Sequence, residues 1–379
     1  MKRILHISKY YAPFFGGIEQ VARDVVNSLI GFAEQKVLCF NHETGDKVDF
    51  VDGVEVYRCH CQCKFFSQSI ALKFGKVLKQ IMTEFKPDIV IFHYPNPYVT
   101  HFLLNEIPTN TRFFVYWHLD ITKQKILGKL FHFQNIALLH RADKVIATSP
   151  NYIIGSKYLN KIVDKCIVIP NCINEHRLMV TDESTSLSQK IRSEAQGKIL
   201  CLAVGRHVPY KGFKYLIDAF ASLDNRFVLN MIGDGELTNS LKKQAAGNPN
   251  IHFLGKVNDL VLKAYYLASD LFCFSSITKN EAFGIALAEA MYFGLPSVTF
   301  CIPGSGVNYV SPNNKTGLEV ANCNVAEYSK AIKILANNDE LKRKYGAEAS
   351  LRVKNNFLFA QFQKRIAKLV LGENVADVA

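Results

Sequence analysis

Short apolar runs alternate with longer stretches of helical periodicity along nearly the whole of this 379-residue chain, and no other feature limits its fold so strongly. A short apolar run between turn signals reads as a buried strand, and strands separated by helical patterns read as parallel βαβ units. In the first half the predicted strands are Ile4–Ser8, Lys36–Phe40, Val54–Arg58, Asp88–His93, Arg112–His118, Lys144–Ser149 and Cys166–Pro170. Helical stretches such as Ile18–Phe32, Ile70–Phe85 and Lys123–His140 lie between them. The polar stretch Thr181–Gln196, almost without large apolar residues, then separates two halves. The alternation restarts with predicted strands Lys198–Gly205, Phe227–Gly233, Ile251–Leu254, Leu271–Ser275 and Ser297–Phe300, and helices Phe213–Ser222, Glu236–Ala246, Leu260–Ala268 and Phe283–Phe293. The predicted class is α/β: two facing doubly wound domains, residues 1–178 and 179–355, with a deep cleft between them. A last helix within 356–379 is placed to pack back on the first domain. Doubly wound sheets bind ligands outside the carboxyl ends of their strands, so the strand-to-helix loops are where function is sought.

Hydrophobic residues make up 49% of the chain and charged residues 21%, a globular balance that excludes disordered, collagen-like and coiled-coil chains. Lys and Arg number 45 against 33 Asp and Glu, a net charge of +12. Such a charge calls for an anionic partner: nucleic acid, a membrane surface or a phosphorylated substrate. The apolar run in Met1–Ser8 is short and broken by His6, so no signal peptide is expected, and no span long enough to cross a membrane stands out. Cys39, Cys201, Cys273 and Cys301 lie in strand-like runs as buried thiols do, which suits a reduced cytoplasmic setting. Cys59-His60-Cys61-Gln62-Cys63 gathers metal-ligand types but lacks the second pair a zinc site needs.

Four loops carry chemistry. After the first strand, Gly16-Gly17 opens a helix whose N–H groups and dipole offer an anion site, although the spacing is not that of a dinucleotide fingerprint. Val204-Gly205-Arg206-His207-Val208-Pro209-Tyr210-Lys211-Gly212 sends two cations out of a strand end between glycines. That suits a diphosphate, since Arg binds two oxygens at once and Lys acts as a point charge. Gly233-Asp234-Gly235 ends the next strand in a flexible turn, equally consistent with an ordinary turn and a ligand contact. In Ser275–Met291, Glu281 and Glu289 stand about two helical turns apart on one side, a pair suited to hydroxyls of a sugar and a ribose. Phe283, Gly284 and Ile285 begin that helix, where free N–H groups meet a phosphate. Glu289 sits among Ala288, Ala290 and Met291, an apolar setting in which an unpaired carboxylate is costly.

The Glu281–Glu289 segment, Val204–Gly212, Gly16-Gly17 and the apolar run Ala290–Pro296 together resemble, in order and spacing, the retaining glycosyltransferases of family 4. The resemblance spans nearly the whole chain and implies the GT-B fold of two Rossmann-like domains. It implies that Arg206 and Lys211 hold the diphosphate of a nucleotide-sugar donor, that Glu281 binds the transferred sugar and that Glu289 binds the ribose. It also implies a metal-free reaction, without a cofactor, in which the acceptor attacks on the face the leaving group departs and no protein nucleophile is needed. In the first domain it assigns His118, and secondarily Asp120, to the transferred sugar; Asp120, His93 and Tyr10 are candidates for acceptor contact. The region from His118 to Lys125 is similar to bacterial enzymes that add mannose or rhamnose in O-antigen assembly.

Ser69–Phe85 sets Ile70, Phe74, Val77, Leu78, Ile81 and Phe85 at helical spacing, with Lys73, Lys76 and Lys79 on another side. Cys63-Lys64-Phe65-Phe66 precedes it, and Thr122–Arg141 adds Lys123, Lys125, Lys129 and Arg141. Basic amphipathic helices lie on anionic lipid, or else bury the apolar side and leave the basic one in water. A lipid-linked glycan acceptor favours the first, hence a peripheral enzyme on the inner face of the cell membrane. An epimerase or phosphorylase of the same fold, and a basic nucleic-acid-binding protein, are the alternatives. No nucleic-acid module or interleaving of cations with stacking aromatics supports the last.

Overall fold

The computed structural model describes residues 1–14, 16–65, 68–121 and 127–372. Phe66, Lys123 and Lys125 lie outside the described residues, as do the side chains of Lys64, Phe65 and Lys129. The chain divides into two compact units, the first ending at Cys172 and regaining the chain at Phe359, the second running Ile173–Leu358.

The first unit contains β1 (Lys2–Ile7), α1 (Gly17–Asn27), β2 (Ala33–Asn41), β3 (Lys47–Val51), β4 (Val54–His60), β5 (Cys63–Phe65), β6 (Gln68–Ile70), α2 (Phe74–Glu84), β7 (Ile89–Tyr94), α3 (Pro97–Glu106), β8 (Arg112–Trp117), α4 (Leu127–Arg141), β9 (Lys144–Ala147), α5 (Pro150–Gly155) and β10 (Cys166–Val168). Its sheet runs β10-β9-β8-β7-β1-β2-β4-β3, parallel except for the β3–β4 pair. Every residue of β7 is buried, as expected of a parallel strand covered on both faces, and this is why it reads as one apolar run. The C-terminal helix, Phe359–Leu371, belongs to this unit: Phe362, Ile366 and Val370 pack with Ile4, Val21, Val25 and Ile89. Burying each such side chain contributes about 1.5–3 kcal/mol.

The second unit contains α6 (Asp182–Glu194), β11 (Ile199–Val204), α7 (Phe213–Ala221), β12 (Phe227–Ile232), α8 (Thr238–Gln244), β13 (Ile251–Gly255), α9 (Asp259–Ala268), β14 (Leu271–Phe274), α10 (Ile285–Tyr292), β15 (Ser297–Phe300), α11 (Val307–Val310), β16 (Gly317–Val320), α12 (Val325–Ala336) and α13 (Asp339–Asn356); the returning helix is α14. The strand order β13-β12-β11-β14-β15-β16 is that of a doubly wound nucleotide-binding sheet.

The structure corrects several sequence expectations. Residues 173–178 belong to the second unit, because Ile173 and Leu178 sit in its core and Ile173 N donates to Phe357 O at 2.8 Å. The polar separator Thr181–Gln196 is largely α6, begun by a capping box between Thr181 and Ser184. Ser69 and Ile70 belong to the β5–β6 hairpin, so the helix starts only at Phe74. Among the described residues no helix is long and apolar enough to cross a membrane.

Candidate functional site

In the second unit the strand order reverses between β11 and β14, and the loops leaving those strands are fastened together. Ser275 Oγ donates to Lys211 O at 2.8 Å, and Ile277 N donates to Tyr210 O at 2.9 Å. Gly212 turns with φ +64°, and a Cβ there would stand 2.1 Å from Ser275 O. Only glycine permits both the left-handed turn and the approach. The contact brings Lys211 Nζ to 2.5 Å from Glu281 Oε2, with each side chain 12% exposed. Ser276 Oγ donates to the same oxygen at 3.0 Å. Among the described residues Glu281 Oε1 takes no partner, which leaves it able to accept from a hydroxyl. The ammonium has further hydrogens to give an anion.

Helix α10 begins beside this pair. Its N-cap, Gly284, has φ +93° and supplies no side-chain cap, so first-turn N–H groups remain available to a negative ligand. Arg206 stands exposed on the loop leaving β11. Lys211, Glu281 and the α10 start are therefore brought together, with Arg206 on the same loop as Lys211. Asp234, in the turn after β12, accepts from Thr238 Oγ1 at 2.7 Å and from Gly235 N at 2.8 Å, ties that suffice for an ordinary turn.

Glu289 is buried, but it is not alone. Arg177 Nη2 forms an ion pair with Oε1, and Tyr266 OH donates to Oε2 at 3.0 Å. Arg177 also meets Asp259 Oδ1 at 2.7 Å. Burial pushes the Glu289 carboxyl above its ordinary range, against the pull of Arg177 and the Tyr266 hydroxyl. The carboxylate that the apolar run would leave costly if unpaired is thus paired within the chain. Arg177 and Tyr266 are the residues sequence reasoning missed; a carboxylate in an apolar run was the signal that a partner must exist.

In the first unit the sheet order runs outward from β1, with β2 on one side and β7 on the other. His6 on β1, His93 on β7 and His118 just past β8 all lie on this central part of the sheet. His93 Nδ1 and His118 Nε2 are 3.0 Å apart. Burial lowers His118 to about 3 and His6 to about 4, and it lowers His93 well below the ordinary imidazole value, so all three rings are neutral.

The acceptor candidates are all buried. His93 is 1% exposed and reaches out only through His118. Tyr10 is buried with its hydroxyl 2.8 Å from Ser69 Oγ. Asp120 is buried, accepting from Trp117 Nε1 at 2.9 Å and Ser156 Oγ at 2.8 Å. Each has at least one polar contact inside the unit. Gly16 is the N-cap of α1, but a Cβ there would meet Glu19 Oε2 at 2.2 Å, so the start of that helix already faces a carboxylate of the chain. A phosphate at Gly16-Gly17 would have to displace it. In the cysteine cluster, His60 Nδ1 accepts from Gly45 N and Cys61 Sγ donates to Cys63 O. Among the described residues no group of three or more His, Cys, Asp or Glu could hold a metal ion.

Comparison with known proteins bears on the same two halves. Residues 15–177 match Glycosyltransferase Family 4, and residues 185–352 match Glycosyl transferases group 1. The D-rhamnosyltransferase WbpZ of Pseudomonas aeruginosa is 30% identical over 361 residues, covering 94% of this chain and 92% of its own. The chain is a family 4 glycosyltransferase. The O-antigen chain mannosyltransferase C of Escherichia coli is 29% identical to this glycosyltransferase over 367 residues, 94% of each chain. Sucrose-phosphate synthase of Thermosynechococcus elongatus superposes with a TM-score of 0.81 at 18% identity, over 100% of both chains, and shows that the glycosyltransferase has the GT-B fold.

Proposed function

We propose that this glycosyltransferase moves a hexose, with mannose favoured, from a nucleoside-diphosphate sugar to a lipid-linked or growing glycan in the synthesis of a surface polysaccharide. The observation that carries the donor class is the meeting of Lys211, Glu281 and an uncapped helix start at the switch point of the second unit. Arg206, Lys211 and the N–H groups following Gly284 hold the diphosphate. Glu281 Oε1 takes a hydroxyl of the transferred sugar, and Glu289 orients the ribose. The favoured sugar and the polysaccharide setting rest on the mannosyl- and rhamnosyltransferase relatives.

The reaction proceeds with retention. The bond between the anomeric carbon and the diphosphate oxygen breaks, the acceptor oxygen bonds to that carbon on the same face, and the acceptor proton passes to the leaving phosphate. Negative charge grows on the diphosphate, where fixed cations and amide dipoles stabilise it without a metal ion. His118 contacts the transferred sugar.

The acceptor's lipid calls for a peripheral position on the inner face of the cell membrane, from the cytoplasmic side. Helix α2 offers charge there and little else: Phe74, Leu78 and Ile81 are buried, Lys73 pairs with Asp46 at 2.7 Å, and Lys76 and Lys79 are exposed. Exposed Phe133 and Ile136 on α4 add apolar surface. The test is a donor screen with GDP-mannose and UDP-hexoses, with and without a polyprenyl-diphosphate glycan. Acceptor-dependent release of the nucleoside diphosphate and an α-linked product from an α-linked donor are expected. A new sugar nucleotide without any acceptor, or a sugar phosphate, would instead identify an epimerase or a phosphorylase.

A further inference from the structure

We propose that His93 is a positioning residue that fixes His118 as its Nδ1–H tautomer, so that His118 meets the transferred sugar as a neutral hydrogen-bond donor. This rests on the reading of His118 as a contact of that sugar.

Two neutral imidazoles joined through His93 Nδ1 and His118 Nε2 at 3.0 Å share one proton, and its owner decides what each ring offers at its other nitrogen. If His118 donated, His93 would carry its proton on Nε2. That nitrogen is sealed from water and has no partner, and buried N–H groups without acceptors are rare and costly. If His93 donates, Nε2 is a bare lone pair, the cheaper of the two defects. His118 then carries its proton on Nδ1, which is not sealed off.

His6 points the same way. Gln35 Nε2 is committed to Val26 O at 3.2 Å, so Gln35 turns Oε1 toward His6 Nε2 at 2.8 Å. His6 therefore donates from Nε2, and its buried Nδ1 is a bare acceptor. Both His6 Nδ1 and His93 Nε2 are buried without a partner, and a bare lone pair is the cheaper defect at each. Tyr116 holds the arrangement flat: its ring lies 12° from His118 and 13° from His93, and its hydroxyl is anchored 2.9 Å from Asn171 Oδ1.

The wild-type tautomer is read directly by long-range proton–nitrogen correlation on the full chain labelled with 15N-histidine; the His118 pattern of a protonated Nδ1 and a bare Nε2 is expected. His93→Asn places an amide donor where Nδ1–H stands, whereas His93→Asp offers only an acceptor and forces His118 to donate from Nε2. With GDP release from GDP-mannose as the readout, His93→Asn should keep kcat within a few-fold. His93→Asp should lower kcat by roughly a hundredfold with the donor KM little changed. A His118 proton on Nε2, or His93→Asp as active as His93→Asn, would overturn the proposal, and the wild-type spectrum decides if either variant fails to fold. His118→Ala with undiminished turnover would overturn the underlying reading of His118 instead.

Discussion

Lowering the pH from about 7.5 to about 5.5 should weaken the first unit through His6, His93 and His118. Each ring is neutral when buried, with His6 near 4, His118 near 3 and His93 well below its ordinary value. In the unfolded chain each returns to about 6.5. Between the folded and unfolded values the unfolded chain binds more protons, so stability falls as the pH falls. The contribution is whole above about pH 6.5 and is lost progressively on the way down to the folded values. At pH 5.5 the loss is on the order of 1 kcal/mol for each ring and roughly 4 kcal/mol for the three, against a typical total of about 5–15 kcal/mol. The chain has a single tryptophan, Trp117, buried in this unit with its ring 3.8 Å from Tyr94, so its fluorescence reports the first unit alone. With a urea dependence of about 2 kcal/mol per molar, the Trp117 transition midpoint should fall by about 2 M between the two pH values. His6→Gln, whose amide nitrogen can still donate to Gln35, should remove about a third of that fall. A midpoint unmoved by acid would show that the rings take up protons inside the fold and would refute the reasoning.

Other outcomes follow from the second unit and the surface. Arg177→Met should destabilise the protein on the order of 3 kcal/mol in thermal melts, because it leaves the Glu289 carboxylate buried and unpaired, and Glu289→Gln should restore most of the loss; an Arg177→Met melt equal to wild type would contradict the pairing. Gly212→Ala should cost more than about 1 kcal/mol and weaken nucleotide binding together, since its Cβ meets Ser275 O and strains the turn that carries Lys211; normal binding by that variant would refute the coupling. Removing the charges of Lys73, Lys76 and Lys79 should weaken co-sedimentation with anionic vesicles by about 1 kcal/mol per exposed cation, and unchanged co-sedimentation would refute the basic membrane face.

The repeating βαβ units were legible because parallel strands buried on both faces are apolar runs, as β7 and β12 are throughout. Elements that meet water on one side were not. The antiparallel edge strand β3 leaves Phe50 largely exposed, and α6 reads as a polar separator because its stability comes from the Thr181–Ser184 capping box and from packing on α9. At the site, Lys211 and Glu281 were legible as chemistry, but their meeting was not. It depends on Gly212 admitting the backbone of Ser275, a contact across 63 residues of sequence. The same holds for Arg177 and Glu289, which lie 112 residues apart. His93, Tyr10 and Asp120 were legible as polar groups at strand ends, but their internal partners His118, Ser69 and Trp117 were not.

The central claim is that the loops leaving β11 and β14 hold a nucleoside diphosphate. Calorimetric titration of GDP and UDP into the wild-type chain, Lys211→Ala and Arg206→Ala tests it most directly. One of the two nucleotides should bind the wild type, and loss of a charge-assisted hydrogen bond should weaken its binding by about 1.5–3 kcal/mol in each variant, roughly ten- to a hundredfold in Kd. Equal affinity in all three proteins would contradict the claim.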